Sequence, residues 1–119
     1  MRIIRSRRGD VLVVRLDGDL DVASAEDFTL AAAGDAAGGE PRHLLVNFSR
    51  CTLLDSTGLG ALLFCGREVR RRGGRVAVAA PSAAVFRVLQ IGGFERLGRV
   101  YRQETDAVLA LAGDTPPCD

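Results

Sequence analysis

Short apolar runs alternate with helix-length segments along this chain of 119 residues, and this alternation restricts the fold more than any other feature of the sequence. Residues 11–16, 44–48 and 76–79 contain few polar side chains, which is typical of strands buried on both faces. Segments with helical spacing separate these runs, and a helix between two strands favours parallel pairing. The pattern predicts an α/β fold: a mixed, largely parallel sheet of 4–5 strands with about 4 helices packed against it.

Two further strands are shorter or more polar. Residues 2–8 are a predicted edge strand whose outward arginines discourage edge-to-edge pairing, and Gly9-Asp10 is the hairpin turn that joins this strand to residues 11–16. Residues 99–101 are a predicted last strand.

The clearest helix follows residue 55. Its apolar residues recur at helical spacing and form one stripe: Leu59, Leu62, Leu63, Gly66 and Val69. Gly73-Gly74 is predicted to end it. Three weaker helices are predicted. The first is capped by Ser24, has Phe28, Ala31 and Ala32 at helical spacing, and ends at Gly34 or Gly38-Gly39. The second is capped by Ser82 and carries Val85, Val88, Leu89 and Ile91, and the third covers residues 105–111 with Val108, Leu109 and Leu111 inward.

The composition is that of an ordinary globular chain, so we assign residues 1–112 to one domain and residues 113–119 to a flexible C-terminal tail. With 16 basic and 15 acidic residues, the charge gives no indication of nucleic acid or an anionic membrane as a partner. No apolar run reaches the roughly 18 residues of a membrane span, and arginines interrupt the N-terminus where a secretory signal would be apolar. We therefore expect a cytoplasmic protein.

The cysteines and the single histidine form no metal-binding pattern. Cys51, Cys65 and Cys118 are widely spaced with no C-x-x-C, which fits a reducing compartment, and His43 has no further ligands at a suitable spacing. We expect no metal and no cofactor, and we interpret Cys65 as a small buried hydrophobic residue.

The candidate functional residues lie just before and within the first turn of the clearest helix, in the segment Asp55-Ser56-Thr57-Gly58. A position near the N-cap explains Ser56, because its hydroxyl can accept a hydrogen bond from a free backbone N–H of the first turn. Gly58 and Gly60 are expected to leave the backbone open to close approach by another molecule. A helix start also favours an anion such as phosphate. A simple helix cap explains the same residues without any function.

Residues 55–62, Asp-Ser-Thr-Gly-Leu-Gly-Ala-Leu, resemble the phosphorylation motif D-S-[ST]-G-L-G of the STAS-domain anti-sigma factor antagonists. Two more segments agree at the right distances. Residues 18–21, Gly-Asp-Leu-Asp, resemble the G-x-[LI]-D element of that family, and residues 42–49 resemble the strand before its motif. The resemblance runs from about residue 11 to residue 111 and implies a single STAS-like domain.

The resemblance also implies a function. In this family the unphosphorylated antagonist binds an anti-sigma factor, which is also a serine kinase of the histidine-kinase-like ATPase type, and so frees the sigma factor. Phosphorylation of the motif serine blocks the capture, and a PP2C-type phosphatase restores it. By position the phosphorylated residue is Ser56, with Thr57 as the second choice. The implied partner-binding residues are Asp21, Asp55, Ser56, Thr57, Gly58, Leu59 and Gly60.

Elementary electrostatics supports such a switch. A phosphate on Ser56 adds about −1.5 to −2 charges at pH 7, which a helix N-terminus tolerates and a docked protein surface does not. Phosphorylation is therefore expected to weaken binding without unfolding the domain. For Asp21 two roles stay open, since an Asp before a helix shapes the turn and can also remain exposed to a kinase.

Other functions compete with the switch. An enzyme with Ser56 as nucleophile needs a nearby base, but His43 is expected at the opposite end of its strand and no G-x-S-x-G is present, so we expect no enzyme. A nucleotide site at Gly58 and Gly60 lacks the lysine of a phosphate-binding loop. The alternative is a STAS-type nucleotide- or ligand-binding regulatory module that is not linked to a sigma factor.

A basic cluster near the end of the clearest helix has a simpler interpretation. Its members are Arg67, Arg70, Arg71, Arg72 and Arg75. Without a basic excess or interleaved aromatic residues in the chain, we interpret the cluster as a solvated helix end rather than a nucleic-acid site.

Overall fold

The five predicted strands form one sheet in which neighbours in space are also neighbours in sequence. The computed structural model describes residues 1–33 and 41–113. The strands are β1 (Arg2–Arg8), β2 (Val11–Asp17), β3 (His43–Arg50), β4 (Val76–Ala79) and β5 (Gly98–Tyr101). The helices are α1 (Ala25–Ala32), α2 (Ser56–Arg71), α3 (Ala83–Ile91) and α4 (Glu104–Ala112), with a 3-10 turn at Phe94–Arg96.

The sheet is mixed and mostly parallel. β1 pairs antiparallel with β2 through a turn at Gly9, where φ is +61°. The strands β2, β3, β4 and β5 pair parallel in that order, and α1, α2 and α3 lie in the three crossovers between them. The predicted α/β fold is therefore confirmed over the residues that the structure describes.

Alternate residues of the strands point into two separate cores. In the larger core, Leu12 and Val14 of β2 pack with Phe28 of α1, Leu62 of α2 and Leu89 of α3. Three helices thus cover one face of the sheet.

The opposite face is covered by α4. Val13 and Leu45, which alternate with residues of the larger core, pack there with Val108 and Leu111 of α4. Because helices cover both faces, the central strands need apolar residues at successive positions, which explains the nearly unbroken runs in the sequence.

Polar contacts fix the start of α4 over the sheet. Glu104 Oε1 accepts hydrogen bonds from Arg15 Nε and Asn47 Nδ2, both at 2.9 Å, and Arg15 Nη2 lies 2.5 Å from Glu104 Oε2. Burial raises the pKa of Glu104, but the hydrogen bonds from Arg15 and Asn47 outweigh it, so the pKa of Glu104 is lowered overall. These contacts tie α4 to β2 and β3.

The prediction that Leu109 faces the core is wrong, and Ile91, another apolar residue of a predicted helix, is also exposed. Ile91 is 80% exposed and Leu109 is 66% exposed. At 3.6 residues per turn, Ile91 lies about 240° around α3 from the buried Val85, so the two side chains point in different directions. Leu109 directly follows the buried Val108, and adjacent residues of a helix do not share a face.

The helix caps agree with the sequence in one case and differ in another. Ser82 caps α3, since its Oγ accepts a hydrogen bond from Val85 N at 3.1 Å. Ser24 occupies the N-cap position of α1 but forms no side-chain cap bond there. Its hydroxyl instead donates to the carbonyl oxygen of Asp19 at 2.8 Å, because the preceding loop turns back over it.

The end of α2 agrees with the sequence, since Gly73 follows it with φ at +84°. The predicted stops of α1 at Gly34 or Gly38-Gly39, Cys118 and residues 114–119 of the predicted tail lie outside the described residues. Among the helices in residues 1–33 and 41–113, none combines the length and apolar character that crossing a membrane requires.

Candidate functional site

Two loops at the C-terminal ends of β2 and β3 are joined by backbone hydrogen bonds. Gly18 N donates to Arg50 O and Leu20 N donates to Leu53 O, both at 3.0 Å. Asp55 N in turn donates to Leu20 O at 3.2 Å. These bonds continue the β2–β3 pairing beyond the strands. As a result, the loop that carries Asp21 and the first turn of α2 lie side by side.

Asp55 caps α2. Its Oδ1 accepts a hydrogen bond from Gly58 N at 2.8 Å, and its Oδ2 accepts one from Val22 N at 3.3 Å. One carboxylate therefore holds both the helix start and the neighbouring loop. The expectation that the Ser56 hydroxyl caps this helix is wrong, because Asp55 has the extended backbone of an N-cap residue whereas Ser56 is already the first helical residue.

The lack of a side chain at Gly58 is needed for packing inside the domain and does not open the surface to another molecule. Gly58 is buried, and a Cβ at this position would lie 2.2 Å from the carbonyl oxygen of Leu20. The close approach that glycine permits here is to the chain itself, which corrects the expectation of an approach by another molecule. Gly60 differs: it is exposed, and nothing lies within 4 Å of a Cβ built there.

Ser56 and Thr57 are both exposed at the first turn of α2. Within residues 1–33 and 41–113, no hydrogen bond uses the Ser56 hydroxyl or the backbone N–H groups of these two residues. Leu59 is half-buried. Its side chain packs so closely on Gly92 that a Cβ added to Gly92 would lie 2.3 Å from Leu59 Cδ2. The accessible part of the motif is therefore centred on Ser56, Thr57 and Gly60.

Asp21 shapes the turn before α1. Its Oδ1 accepts hydrogen bonds from Ala23 N at 3.0 Å and Ser24 N at 3.3 Å, and its own N–H donates to Ser24 Oγ at 3.0 Å. The turn-shaping role predicted as one of two is thus confirmed. Asp21 remains half-exposed beside the loop bound by Asp55, so a role toward a partner stays a prediction.

The sequence pattern that defines the STAS domain matches residues 2–107. The chain belongs to the STAS-domain family. This confirms the resemblance drawn from residues 18–21, 42–49 and 55–62.

Known relatives of this STAS domain include regulators of sigma factors. A protein of Paenibacillus polymyxa named anti-sigma F factor antagonist is 27% identical over 101 residues, which are 85% of this chain and 86% of the relative. The phosphorylated form of the Bacillus cell fate determinant SpoIIAA has 25% identity and a TM-score of 0.73, with 90% of this chain and 96% of that chain covered. An anti-sigma factor antagonist of Mycobacterium paratuberculosis shares the fold with a TM-score of 0.81 at 22% identity, with 93% of both chains covered.

Two apolar residues beside the STAS motif were not predicted from the sequence. Val22 is 73% exposed and Leu53 is 48% exposed, and both lie in the two loops joined at Leu20 and Asp55. The adjacent pair Leu53-Leu54 was a usable signal for the second of these residues, because successive residues of an extended segment point to opposite sides. For Val22 the sequence offers no comparable signal.

His43 is remote from the motif. It is the buried first residue of β3, where its Nδ1 accepts a hydrogen bond from Arg75 N at 3.0 Å. Since β3 spans eight residues and runs toward the motif, His43 lies about 23 Å from the strand's other end. The predicted position at the opposite end is confirmed, and His43 is no base for Ser56. The described residues contain no group of three or more His, Cys, Asp or Glu that fits a metal ion.

Cys65 is buried, as predicted. Burial raises the pKa of its thiol to about 11, and burial also raises the pKa of Cys51. Neither thiol is therefore a thiolate nucleophile at neutral pH.

Two arginines of the basic cluster, Arg70 and Arg71, contact the chain itself. Arg70 Nη1 donates to the carbonyl oxygen of Arg96 at 2.8 Å, and Arg71 Nη1 lies 3.1 Å from Glu68 Oε2. These contacts agree with the interpretation of a solvated helix end.

Proposed function

We propose that this STAS domain is an anti-sigma factor antagonist that binds an anti-sigma factor while Ser56 is unphosphorylated and so releases a sigma factor. The partner is an anti-sigma factor with serine kinase activity and a histidine-kinase-like ATPase fold. Its phosphorylation of Ser56 ends the binding, and a PP2C-type phosphatase restores it. The observation that carries the proposal is that Ser56 is exposed at the start of α2 and that its hydroxyl does not serve as the helix cap.

The availability of the hydroxyl supports a phosphorylation site. A serine that caps a helix uses its oxygen to accept a backbone N–H, and removing that bond costs about 1 kcal/mol. Asp55 caps this helix instead, so phosphorylation of the Ser56 oxygen removes no capping hydrogen bond. Thr57 is also exposed and is the second choice as acceptor.

The surroundings of Ser56 favour a phosphate that leaves the fold intact. The helix start offers partial positive charge worth about 0.3–1 kcal/mol to an anion. The carboxylate of Asp55, a like charge close to Ser56 in the chain, opposes this attraction by about 1 kcal/mol in a water-exposed setting. The two effects nearly cancel, so we expect little change in the free energy of unfolding.

The effect on a bound partner is larger. A phosphate brings about two negative charges into a surface that also contains Asp55 and Asp21. The exposed Val22 and Leu53 border the same surface, and their burial by a partner would remove water from around the phosphate. Burying an uncompensated charge costs about 3–5 kcal/mol, enough to abolish a moderate affinity.

The decisive experiment compares Ser56→Asp with a matched control. Thr105→Asp places the same charge in the first turn of α4, at an exposed position on the opposite face of the sheet. In one reaction a candidate kinase and ATP are added to the unmodified chain, and phosphate is located by mass spectrometry. In a separate reaction without ATP, capture of the kinase is measured for all three proteins.

We expect phosphate on Ser56, kinase capture by the unmodified chain and by Thr105→Asp, and no capture by Ser56→Asp. All three proteins should keep nearly the same Tm. Equal capture by Ser56→Asp would contradict the proposal. Binding of a nucleotide to the isolated chain, without capture of any kinase, would instead support a ligand-binding STAS module that is not linked to a sigma factor.

A further inference from the structure

The strand β5 has one unpaired edge. Its residues pair with β4 alone, from Val76 opposite Gly98 to Ala79 opposite Tyr101, and no other part of the described chain pairs with its outer side. In a parallel pair, alternate residues direct their N–H and C=O groups away from the partner strand. Such an edge is a template for a further strand.

The two edges of the sheet differ in protection. The outer strand β1 carries four exposed arginines: Arg2, Arg5, Arg7 and Arg8. Charged side chains on an edge discourage pairing with another chain. The strand β5 is four residues long and carries one arginine, Arg99, together with Gly98, Val100 and Tyr101, so it is the edge with fewer charges.

An open groove of about 920 Å³ runs along β5. Phe86 of α3 and the strand residues Val100 and Tyr101 line it, and all three are half-buried. Aromatic and aliphatic surface in a concave site is suited to an apolar side chain.

The charges in the groove are mostly positive. Arg99 and Arg102 line it and are exposed, and neither forms an ion pair with any residue that the structure describes. The acidic residue in the lining is Glu95. This balance favours an acidic partner over a basic one.

The two faces of β5 present different chemistry to an added strand. Val100 packs on the larger core, on the side of α3, whereas Arg99 and Tyr101 alternate with it and Tyr101 packs on the core beneath α4. Successive side chains of an added strand point to these two faces in turn. A segment that alternates apolar and acidic residues therefore meets Val100 on one face and Arg99 on the other.

We infer that β5 binds an extended acidic segment of a partner protein as a sixth strand of the sheet. Backbone hydrogen bonds to the free edge hold the segment, an apolar side chain contacts Phe86 and Val100, and an acidic side chain pairs with Arg99. Arg102 adds positive charge just beyond the end of the strand. The site lies two strands away from β3, about 10 Å across the sheet, and uses none of the residues of the Ser56 motif. The inference thus stands apart from the proposed phosphorylation switch.

The test uses the full chain and three synthetic octapeptides. The first alternates Val and Glu, the second alternates Val and Lys, and the third is the acidic peptide with N-methyl groups on every second amide. Binding is followed by fluorescence anisotropy, and backbone amide shifts in ¹⁵N NMR spectra locate the peptide. The reversal Arg99→Glu with Arg102→Glu is compared with Arg67→Glu, an exposed arginine of α2 outside the groove.

We expect the acidic peptide to bind and to shift the amides of residues 98–102. The double reversal should weaken binding by about tenfold, because like charges then face each other, while Arg67→Glu leaves it unchanged. Salt should weaken binding, and methylation of the amides that face β5 should abolish it. Equal binding of the lysine peptide, amide shifts confined to other elements, or no binding at millimolar peptide would each overturn the inference. The spectra also report whether each variant is folded.

Discussion

Substitution of Gly58 by alanine tests the contact that positions the motif. The new methyl carbon would lie 2.2 Å from the carbonyl oxygen of Leu20, about 1.2 Å short of ordinary contact. The oxygen belongs to backbone, which cannot rotate away, so the start of α2 must move from the loop. Alanine improves helix propensity by about 1 kcal/mol, but overpacking costs about 1–3 kcal/mol and a disturbed cap at Asp55 about 1 kcal/mol more.

We therefore expect Gly58→Ala to lower the free energy of unfolding by about 2 kcal/mol and Tm by roughly 10 °C. The matched control is Gly60→Ala in the same helix turn, where nothing lies within 4 Å of the new carbon. That variant should gain about 0.5–1 kcal/mol, because alanine restricts the unfolded chain and favours the helix. Urea denaturation of both variants measures the difference. The reasoning is refuted if Gly58→Ala is as stable as Gly60→Ala.

Three further predictions concern the rest of the fold. Leu89→Ala removes a fully buried side chain and should lower the free energy of unfolding, measured by urea denaturation, by about 2–5 kcal/mol. Ile91→Ala at an exposed site should change it by no more than about 0.5 kcal/mol. Similar losses in the two variants would contradict the assigned burial. Iodoacetamide at pH 8 should leave Cys65 unmodified in the folded chain and modify it in urea, by peptide mass spectrometry, because its raised pKa and burial disfavour the thiolate. Since the folded pKa of Glu104 is lowered, its ion pair with Arg15 stabilises the fold above the unfolded pKa and is lost as pH falls through the folded pKa. The stability advantage of the unmodified chain over Glu104→Gln should therefore be full at pH 7, begin to fall near the unfolded pKa of about 4.3, and be lost below the lowered folded pKa. A pH-independent difference would exclude this role.

The strands and the location of the motif were predictable because they depend on local pattern. Residues 11–16, 44–48 and 76–79 are apolar at nearly every position, and this pattern requires cover on both faces wherever the helices lie. The motif could be placed at a helix start for the same reason, since a cap residue and a helical stripe adjoin there.

The assignment of the cap was not predictable to a single residue. Asp55 and Ser56 are both favourable N-cap residues, and the choice depends on which of them has the extended backbone. That backbone is held by the bond from Asp55 N to Leu20 O and by the contact of Gly58 with Leu20. The loop that carries Leu20 is more than 30 residues away in sequence, so local pattern contains no information about it.

The network around Glu104 was missed for the same reason. Arg15 and Glu104 are 89 residues apart, and Asn47 is 57 residues from Glu104. In the sequence Arg15 and Asn47 are isolated polar residues within apolar segments, whereas Glu104 is one of five successive polar residues, 102–106. Only the closure of α4 over the sheet brings them together.

The sequential order of the sheet has a consequence for the synthesis of the chain. Each strand that leaves the ribosome pairs with the strand made just before it, so the sheet can grow from its N-terminal side during translation. The helix that covers one face of the sheet, α4, is synthesised last. A chain that stops before Glu104 exposes Val13 and Leu45 and leaves Arg15 and Asn47 without their acceptor. Incomplete chains therefore carry an apolar surface by which proteases and chaperones distinguish them from the finished domain.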